Sequence, residues 1–424
     1  MSCCVRNSTF YEGIKNGYNN IVEPHPFITE SKPLEEIPGV RRVHVHIALF
    51  ITGAGAFFNL YVTQPLLPQF RHFFHASELM VSLTVSAAVL AMAFASPVIG
   101  LLADALGRKR VIVAAMLGLA IPTALAGTSV NLRQLIIWRF FQGLFTAGIP
   151  AVTMAYICEE SPLESVGATM ATYVTGTVIG GFTGRFIAGL SSARYGWRAP
   201  FLILGAITVT CALVIWWLLP RSTRFIRQRN VVQGLQSMLT HLCNPQLLAT
   251  YAVGFNVLFC MVGTFTYVNF YLADKPFFLG PAALASIFVV YLIGAVITPP
   301  AGYIMDRIGQ RKALIGAVGM SAIGIILTLV HSVPVIIAGL ALEASGVFVC
   351  QSASSSHVGM AAHEAKSSAA GLYISFYYLG GFAGSVIPGF LWNHAGWLGC
   401  VAIMLCAQAI AVLIANRWWT KEHH

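Results

Sequence analysis

The segment 97–110, PVIGLLADALGRKR, combines a proline, a spaced glycine–aspartate–glycine pattern and three consecutive basic residues at the end of a long apolar run. The pattern recurs 202 residues later in the segment 299–312, PPAGYIMDRIGQRK. At an offset of 200 residues, the glycine-rich segment 173–197 also matches 373–397. Agreement at this many positions indicates a duplicated chain with two halves in the same orientation. We therefore expect a functional site between two similar halves.

The composition excludes an ordinary soluble protein. Of 424 residues, 57% are hydrophobic and 9% are charged, and the mean hydropathy is +0.74. Soluble domains carry about 25% charged residues, so a soluble chain of this size could not cover its surface. A helix needs about 20 apolar residues to cross a bilayer. The chain has twelve stretches of nearly this length or longer, at 44–66, 79–102, 111–128, 133–156, 166–190, 199–220, 247–272, 283–303, 313–331, 334–357, 367–391 and 397–417.

Polar segments divide the chain into domains. We predict an N-terminal tail over 1–43, a six-helix bundle over 44–220, a linker over 221–246 and a second six-helix bundle over 247–424. Loops on the cytoplasmic side of membrane proteins are enriched in lysine and arginine. With the N-terminus inside, 18 of the 25 lysines and arginines lie in inner segments and five in outer loops. The bias predicts that both termini are cytoplasmic, and it explains the net charge of +10 without a nucleic-acid partner.

The loop after the second span resembles the signature loop of the major facilitator superfamily. Arg139-x-x-x-Gly143 in the fourth span and the stretch Gln64-Pro65-Leu66-Leu67-Pro68 add to the resemblance. Within the superfamily the chain is most similar to bacterial proton-coupled efflux carriers of the drug-antiporter type. The resemblance implies an all-α inner-membrane protein with twelve transmembrane helices in two pseudo-symmetric bundles. We expect it to be a monomer in the plasma membrane and to bind a small molecule and protons.

The resemblance also implies that the signature loop forms a gate on the cytoplasmic side. In this reading Asp104 and Arg108 contact the start of span eleven near Ser367, and Glu159 or Glu160 holds Arg110. The alternative is that these loop charges serve only membrane topology. The candidate gating residues are Gly100, Asp104, Gly107, Arg108, Lys109, Arg110, Gly302, Asp306, Gly309 and Arg311.

Small residues in span five predict close helix packing. The candidates are Gly176, Gly180, Gly181 and Gly184. The antiporter motif of the related carriers has a proline where this chain has Gly181, and a glycine where it has Arg185. We therefore expect the packing without the bend that a proline causes.

Three ionisable residues lie inside apolar spans, where a charge is costly and is usually paired, hydrated or functional. Arg139 and Arg185 could bind substrate, or could extend toward the outer interface. Glu343 could carry the coupled proton, or could belong to a structural ion pair. The peripheral spans three, six, nine and twelve lack ionisable interior residues. The candidate pathway residues are Asn59, Arg139, Gln142, Arg185, Asn256, Asn269 and Glu343.

We predict secondary active transport, with proton-coupled export of a small organic compound by alternating access. Proton-linked uptake of a sugar or organic anion is the alternative, and the two arginines would suit an anion. An integral-membrane enzyme or receptor is a third class, but the sequence lacks a clustered nucleophile and base. The glycine-rich segments contain no phosphate-binding loop pattern, so the sequence gives no sign of coupling to ATP. His44 and His46 lack an evident third ligand, so we expect no metal and no other cofactor.

Overall fold

The computed structural model describes residues 39–161, 165–220, 222, 239–362 and 366–419, without the side chains of 39–42, 100–106, 306, 366 and 367. The predicted tail over 1–43 lies outside these residues except for 39–43, and the predicted linker over 221–246 lies outside them except for 222 and 239–246. The described residues from Val40 onward form one compact unit. The first half contains α1 (Gly39–Leu60), α2 (Leu67–Phe74), α3 (Glu78–Leu106), α4 (Arg108–Ala126), α5 (Leu132–Ala147), α6 (Pro150–Glu160), α7 (Val166–Tyr195) and α8 (Ala199–Leu218).

The second half repeats this order of long helices. A short 3-10 helix, Gln64–Leu66, precedes α2 in the first half. The second half contains α9 (Pro245–Ala273), α10 (Pro281–Ile287), α11 (Val290–Ile308), α12 (Gln310–Leu327), α13 (Val333–Ala361) and α14 (Lys366–Trp418).

Twelve crossings follow from these helices. Ten candidate spans are long and apolar enough to cross a membrane in the part of the chain that the structure describes. One of them, Ser368–Trp418, contains two crossings, because the backbone departs from helical geometry at Gly396 (φ 56°). The thirty-residue α7 is the remaining crossing, and it falls outside the ten because polar residues and glycines interrupt it. The predicted all-α fold with twelve transmembrane helices is confirmed.

Short 3-10 turns divide two of the predicted spans into pairs of helices. Span four is interrupted between Ala147 and Pro150, and span eight between Ile287 and Val290. Pro150 begins α6 because proline has no backbone N–H group and is tolerated in the first helical turn. The fourth crossing therefore has a tightened turn near its middle, where Gly148 and Ile149 keep right-handed angles and donate to carbonyls three residues earlier. Its apolar sequence alone does not reveal this turn.

The repeated glycines have the same backbone role in both halves. Gly107 (φ 89°) precedes α4, and Gly309 (φ 83°) precedes α12. Side chains rarely adopt these positive φ angles, whereas glycine does so readily. The sharp turn that the signature loop requires thus depends on glycine in each copy.

Glycines of α7 allow α1 to approach closely. A methyl group on Gly180 would lie 2.4 Å from the Ala54 backbone, and one on Gly184 would lie 2.2 Å from the Phe58 carbonyl. Gly176 faces α1 in the same way. In the second half, Gly380 and Gly384 face the carbonyls of Phe255 and Phe259. The duplicated sequence therefore produces a duplicated helix contact, α7 on α1 and α14 on α9.

Candidate functional site

Arg139 is fully buried in the middle of α5 and is bound by backbone carbonyls. Its Nε donates to the Thr84 carbonyl (2.8 Å), and its Nη1 donates to the Asn59 carbonyl (2.7 Å). Nη2 donates to the Leu60 carbonyl at the end of α1. Carbonyls at a helix C-terminus lack intrahelical partners and carry partial negative charge. Arg139 therefore fastens the end of α1 to α3 and α5.

A buried polar network extends from this arginine into the first half. The Gln142 side chain accepts from Arg139 Nη1 and donates to Thr123 Oγ1 at 2.8 Å. Thr123 also donates to Asn59 Oδ1 (3.3 Å), and Asn59 donates to Thr208 Oγ1 (2.9 Å). The network thus joins α1, α4, α5 and α8. Asn59 and Gln142 point toward neighbouring helices of their own half.

Arg185 lies on α7 where the two halves meet, and only 2% of it is exposed. Its Nε donates to Gln64 Oε1 (2.8 Å), and its Nη1 donates to the Gly181 carbonyl one turn earlier (2.6 Å). The guanidinium carbon lies 4.8 Å from the ring centre of Tyr61, 4.7 Å from that of Phe288 and 4.9 Å from that of Tyr291. Three aromatic rings therefore surround a cation, an arrangement that stabilises its charge.

Glu343 is fully buried in α13. Its carboxyl group makes no ion pair with any described residue, and neither oxygen has a hydrogen-bond partner among them. The Thr264 hydroxyl lies beside it but donates to Met404 Sδ at 2.9 Å. The predicted alternative of a structural ion pair is therefore not formed in this conformation.

Tyr291 lies between the two buried charges. It interacts electrostatically with both Arg185 and Glu343. A group of tyrosines extends from it along the contact between the halves: Tyr377 interacts with Tyr61, Tyr291, Tyr373 and Tyr378. Arg185 and Glu343 each interact with Tyr291 and form no ion pair with each other.

The two predicted asparagines of α9 have local partners. Asn269 donates to the Phe265 carbonyl (2.6 Å), and Asn256 donates to the Ala252 carbonyl (2.8 Å). Asn256 also borders a cavity of about 20 Å³ inside the second half, which is room for about one water molecule. Cys260 and Cys350, which interact electrostatically with Glu343, border the same cavity.

The halves are joined at the end of the molecule that contains Arg71, which we call the Arg71 end. Arg71 binds both oxygens of Asp274 (2.6 and 2.9 Å) and also Glu78 (2.8 Å). Deeper in the contact, Ser86 and Ser385 are linked by a hydrogen bond of 2.7 Å. These contacts hold the Arg71 end closed.

The signature loop forms an ion pair in the first half. Arg108 donates twice to Glu159, at 2.7 and 3.2 Å, although we expected Glu159 or Glu160 to hold Arg110. The equivalent pair in the second half is uncharged, because Gln310 contacts Met360 Sδ (3.6 Å). The copies therefore differ in electrostatics at this turn.

The basic residues that follow contact the last span of each half. Lys109 lies 5.7 Å from the Trp216 ring centre, and Arg311 donates to Asn416 Oδ1 at 2.8 Å. A methyl group on Gly302 would meet no atom within 4 Å. The structure does not describe the surroundings of Gly100 or the side chains of Asp104, Asp306 and Ser367. It therefore does not place the proposed clamp with span eleven.

The site also includes residues that sequence reasoning did not select for function. Gln64 binds Arg185 and, across the halves, donates to Thr266 Oγ1 at 3.4 Å. Phe288 lies over the guanidinium. Gln64 appeared only as part of a family-like stretch, and a single phenylalanine in an apolar span carries no sequence signal.

The architecture and the signature turns match a known family. The model of the Major Facilitator Superfamily matches residues 49–288 and 277–424. The chain belongs to the major facilitator superfamily. It is therefore a multi-pass membrane transporter with the twelve-helix fold of that superfamily.

Individual members of the superfamily are similar over much of the chain. The inner membrane transport protein YnfM of Escherichia coli is 30% identical over 408 residues, covering 95% of each chain. The multidrug resistance protein MdtG of Proteus mirabilis is 29% identical over 286 residues, covering 65% of this chain and 70% of its own. The fold resembles an inward-facing, unoccupied bacterial homologue of the human lysosomal transporter Spinster, with a TM-score of 0.75 and 15% identity over 90% of this chain and 98% of that one.

Proposed function

We propose that this carrier exports a small organic compound in exchange for protons, and that Glu343 carries the proton. The observation that supports the proposal most directly is a fully buried carboxyl group with no ion pair and no hydrogen-bond partner among the described residues. A charged carboxylate in such surroundings is costly unless it is compensated. The names of the YnfM and MdtG relatives are consistent with an inner-membrane exporter.

Coupling requires that protonation changes the balance between two conformations. A neutral Glu343 fits the closed, dry environment described above, whereas a charged one favours a conformation in which water or a cation reaches it. A ligand shifts a conformational equilibrium only by its difference in affinity for the two states. The proton supplies that difference here, because its binding removes the cost of a buried charge.

Replacing Glu343 with Gln tests the role of the carboxyl group. Gln has a similar shape but cannot take up or release a proton. We expect E343Q to lose the stimulation of transport by an imposed pH gradient by at least about tenfold, while exchange between equal concentrations of substrate on both sides continues. The measurement uses reconstituted vesicles and a panel of cationic dyes and organic carboxylates.

Glu343→Asp is the matched control, since it keeps a carboxyl group and should retain part of the stimulation. Transport by E343Q that responds to the gradient as the wild type does would reject the proposal. If E343Q folds normally but loses both exchange and coupling, Glu343 is needed for the transport cycle as a whole, and its proposed role as the proton carrier is rejected.

Proton-linked uptake of an organic anion is the second candidate function. It is favoured by Arg185, a buried cation at the contact between the halves that no described carboxylate neutralises. Direction is tested in cells that lack the chain and in cells that produce it. Export predicts that a transported compound accumulates inside the deficient cells, and uptake predicts that it stays outside them.

A further inference from the structure

Arg185 and Arg139 are both single arginines within apolar spans. Their surroundings in the structure differ. All three guanidinium nitrogens of Arg139 donate to protein acceptors. Arg185 uses Nε and Nη1, and among the described residues its Nη2 has no hydrogen-bond partner. Arg139 is therefore saturated within one half, whereas Arg185 keeps a donor at the contact between two halves.

The available donor lies on the edge of the guanidinium group that recognises carboxylates. Nε and Nη2 form a fork that can bind both oxygens of one carboxylate. In the structure, the Nε side of this fork is occupied by the amide oxygen of Gln64. A neutral amide oxygen thus lies where one carboxylate oxygen would bind.

We propose that Arg185 is an anion-binding subsite, in which the carboxylate of an aromatic organic acid replaces Gln64 Oε1. Tyr61, Phe288 and Tyr291 surround the guanidinium group and are buried in this conformation. They would contact the body of such a ligand in a conformation in which the halves separate beside Arg185. This inference rests on the proposed transport function for the ligand's role as substrate, but binding itself can be measured without transport.

Displacement of Gln64 has a structural effect beyond the subsite. The same side chain donates across the halves to Thr266. An anion that takes over Arg185 releases Gln64 and weakens this contact. Binding of the ligand is thereby linked to the contacts that hold the Arg71 end closed.

The test measures equilibrium binding of radiolabelled benzoate to the full-length protein in detergent. Benzylamine and benzyl alcohol serve as competitors of similar size with positive and no charge. We expect benzoate to bind and neither competitor to displace it at equal concentration. Replacing Arg185 with Gln should weaken binding by about tenfold to a hundredfold, because a charge-assisted bidentate contact is lost.

Gln64 provides a second and independent variant. Q64E places a permanent carboxylate on Arg185, so it should fold normally and weaken benzoate binding about as much as R185Q. Q64A removes the competing amide and should bind benzoate at least as tightly as the wild type. Arg133, which is exposed at the start of α5, is the control, and R133Q should bind like the wild type.

Two results would overturn the subsite. One is the lack of any benzoate binding, or displacement of radiolabelled benzoate by benzyl alcohol as effective as displacement by unlabelled benzoate. The other is wild-type benzoate affinity in both R185Q and Q64E. Assays of the wild type separate this inference from the proposed coupling: Arg185-dependent benzoate binding without proton-coupled transport would reject the coupling and keep the subsite.

Discussion

At the scale of single residues, the buried charges are distinguished by how completely their polar atoms are satisfied. Arg139 provides three nitrogens to the carbonyls at the end of α1 and on α3, as well as to Gln142. The cost of charge in an apolar span is met here by dipoles rather than by a carboxylate. This arrangement favours a structural role for Arg139 and leaves Arg185 and Glu343 as the candidates for ligand and proton.

Replacing Arg139 with Met should destabilise the protein strongly. The substitution leaves the carbonyls of Thr84, Asn59 and Leu60 buried without this donor, and each unsatisfied buried group costs about 1–3 kcal/mol. We expect a clear fall in melting temperature in detergent. Arg133→Met, an exposed change on the same helix, is the control, and equal melting temperatures for the two variants would show that Arg139 is not needed for stability.

At the scale of helices, glycine contacts determine how closely α7 packs on α1 and how closely α14 packs on α9. Gly380→Ala should destabilise the second half, because the added methyl group would lie 1.9 Å from the Phe255 carbonyl. Overpacking of this kind costs about 1–3 kcal/mol. Gly316→Ala on α12 is the matched control, since its methyl group meets no atom within 4 Å, and alanine is favoured in helices by about 0.5–1 kcal/mol. The two variants should therefore shift the melting temperature in opposite directions, and a shared direction would contradict the packing argument.

At the scale of the whole molecule, alternating access requires the Arg71 end to open. Ser86 and Ser385 are hydrogen-bonded across the halves at 2.7 Å. We expect the double variant S86C with S385C to form a disulfide on oxidation and to lose transport in vesicles. Each single variant should transport normally under the same oxidant, and a reductant should restore the double variant. Undiminished transport by the cross-linked protein would show that this contact does not need to separate.

Much of the fold was predictable from the sequence, because hydrophobicity and repetition act over long segments. The twelve crossings and the duplicated turn at Gly107 and Gly309 follow from such patterns. Breaks within a crossing were missed, since the interruption before Pro150 depends on a single residue in an apolar run. Sequence reasoning thus finds where the chain crosses, but not where the helix of a crossing tightens into a short turn.

The site was predictable only as a set of residue types. Burial of Arg139, Arg185 and Glu343 was expected from their positions in apolar spans. Their partners were not, because they are backbone carbonyls, a glutamine and aromatic rings that come from distant parts of the chain. Asn59 shows the same limit: its position on span one suggested the cavity, but its side chain bonds to Thr208.

The uneven interiors of the two halves imply unequal stiffness. In the first half a polar network joins four helices, whereas the second half contains a cavity of about 20 Å³ whose lining includes Cys260 and Cys350. Hydrostatic pressure favours states that eliminate internal voids. Compression should therefore deform the second half first and slow the transport cycle before it unfolds the protein, so the compliant half would set the pace of rocking.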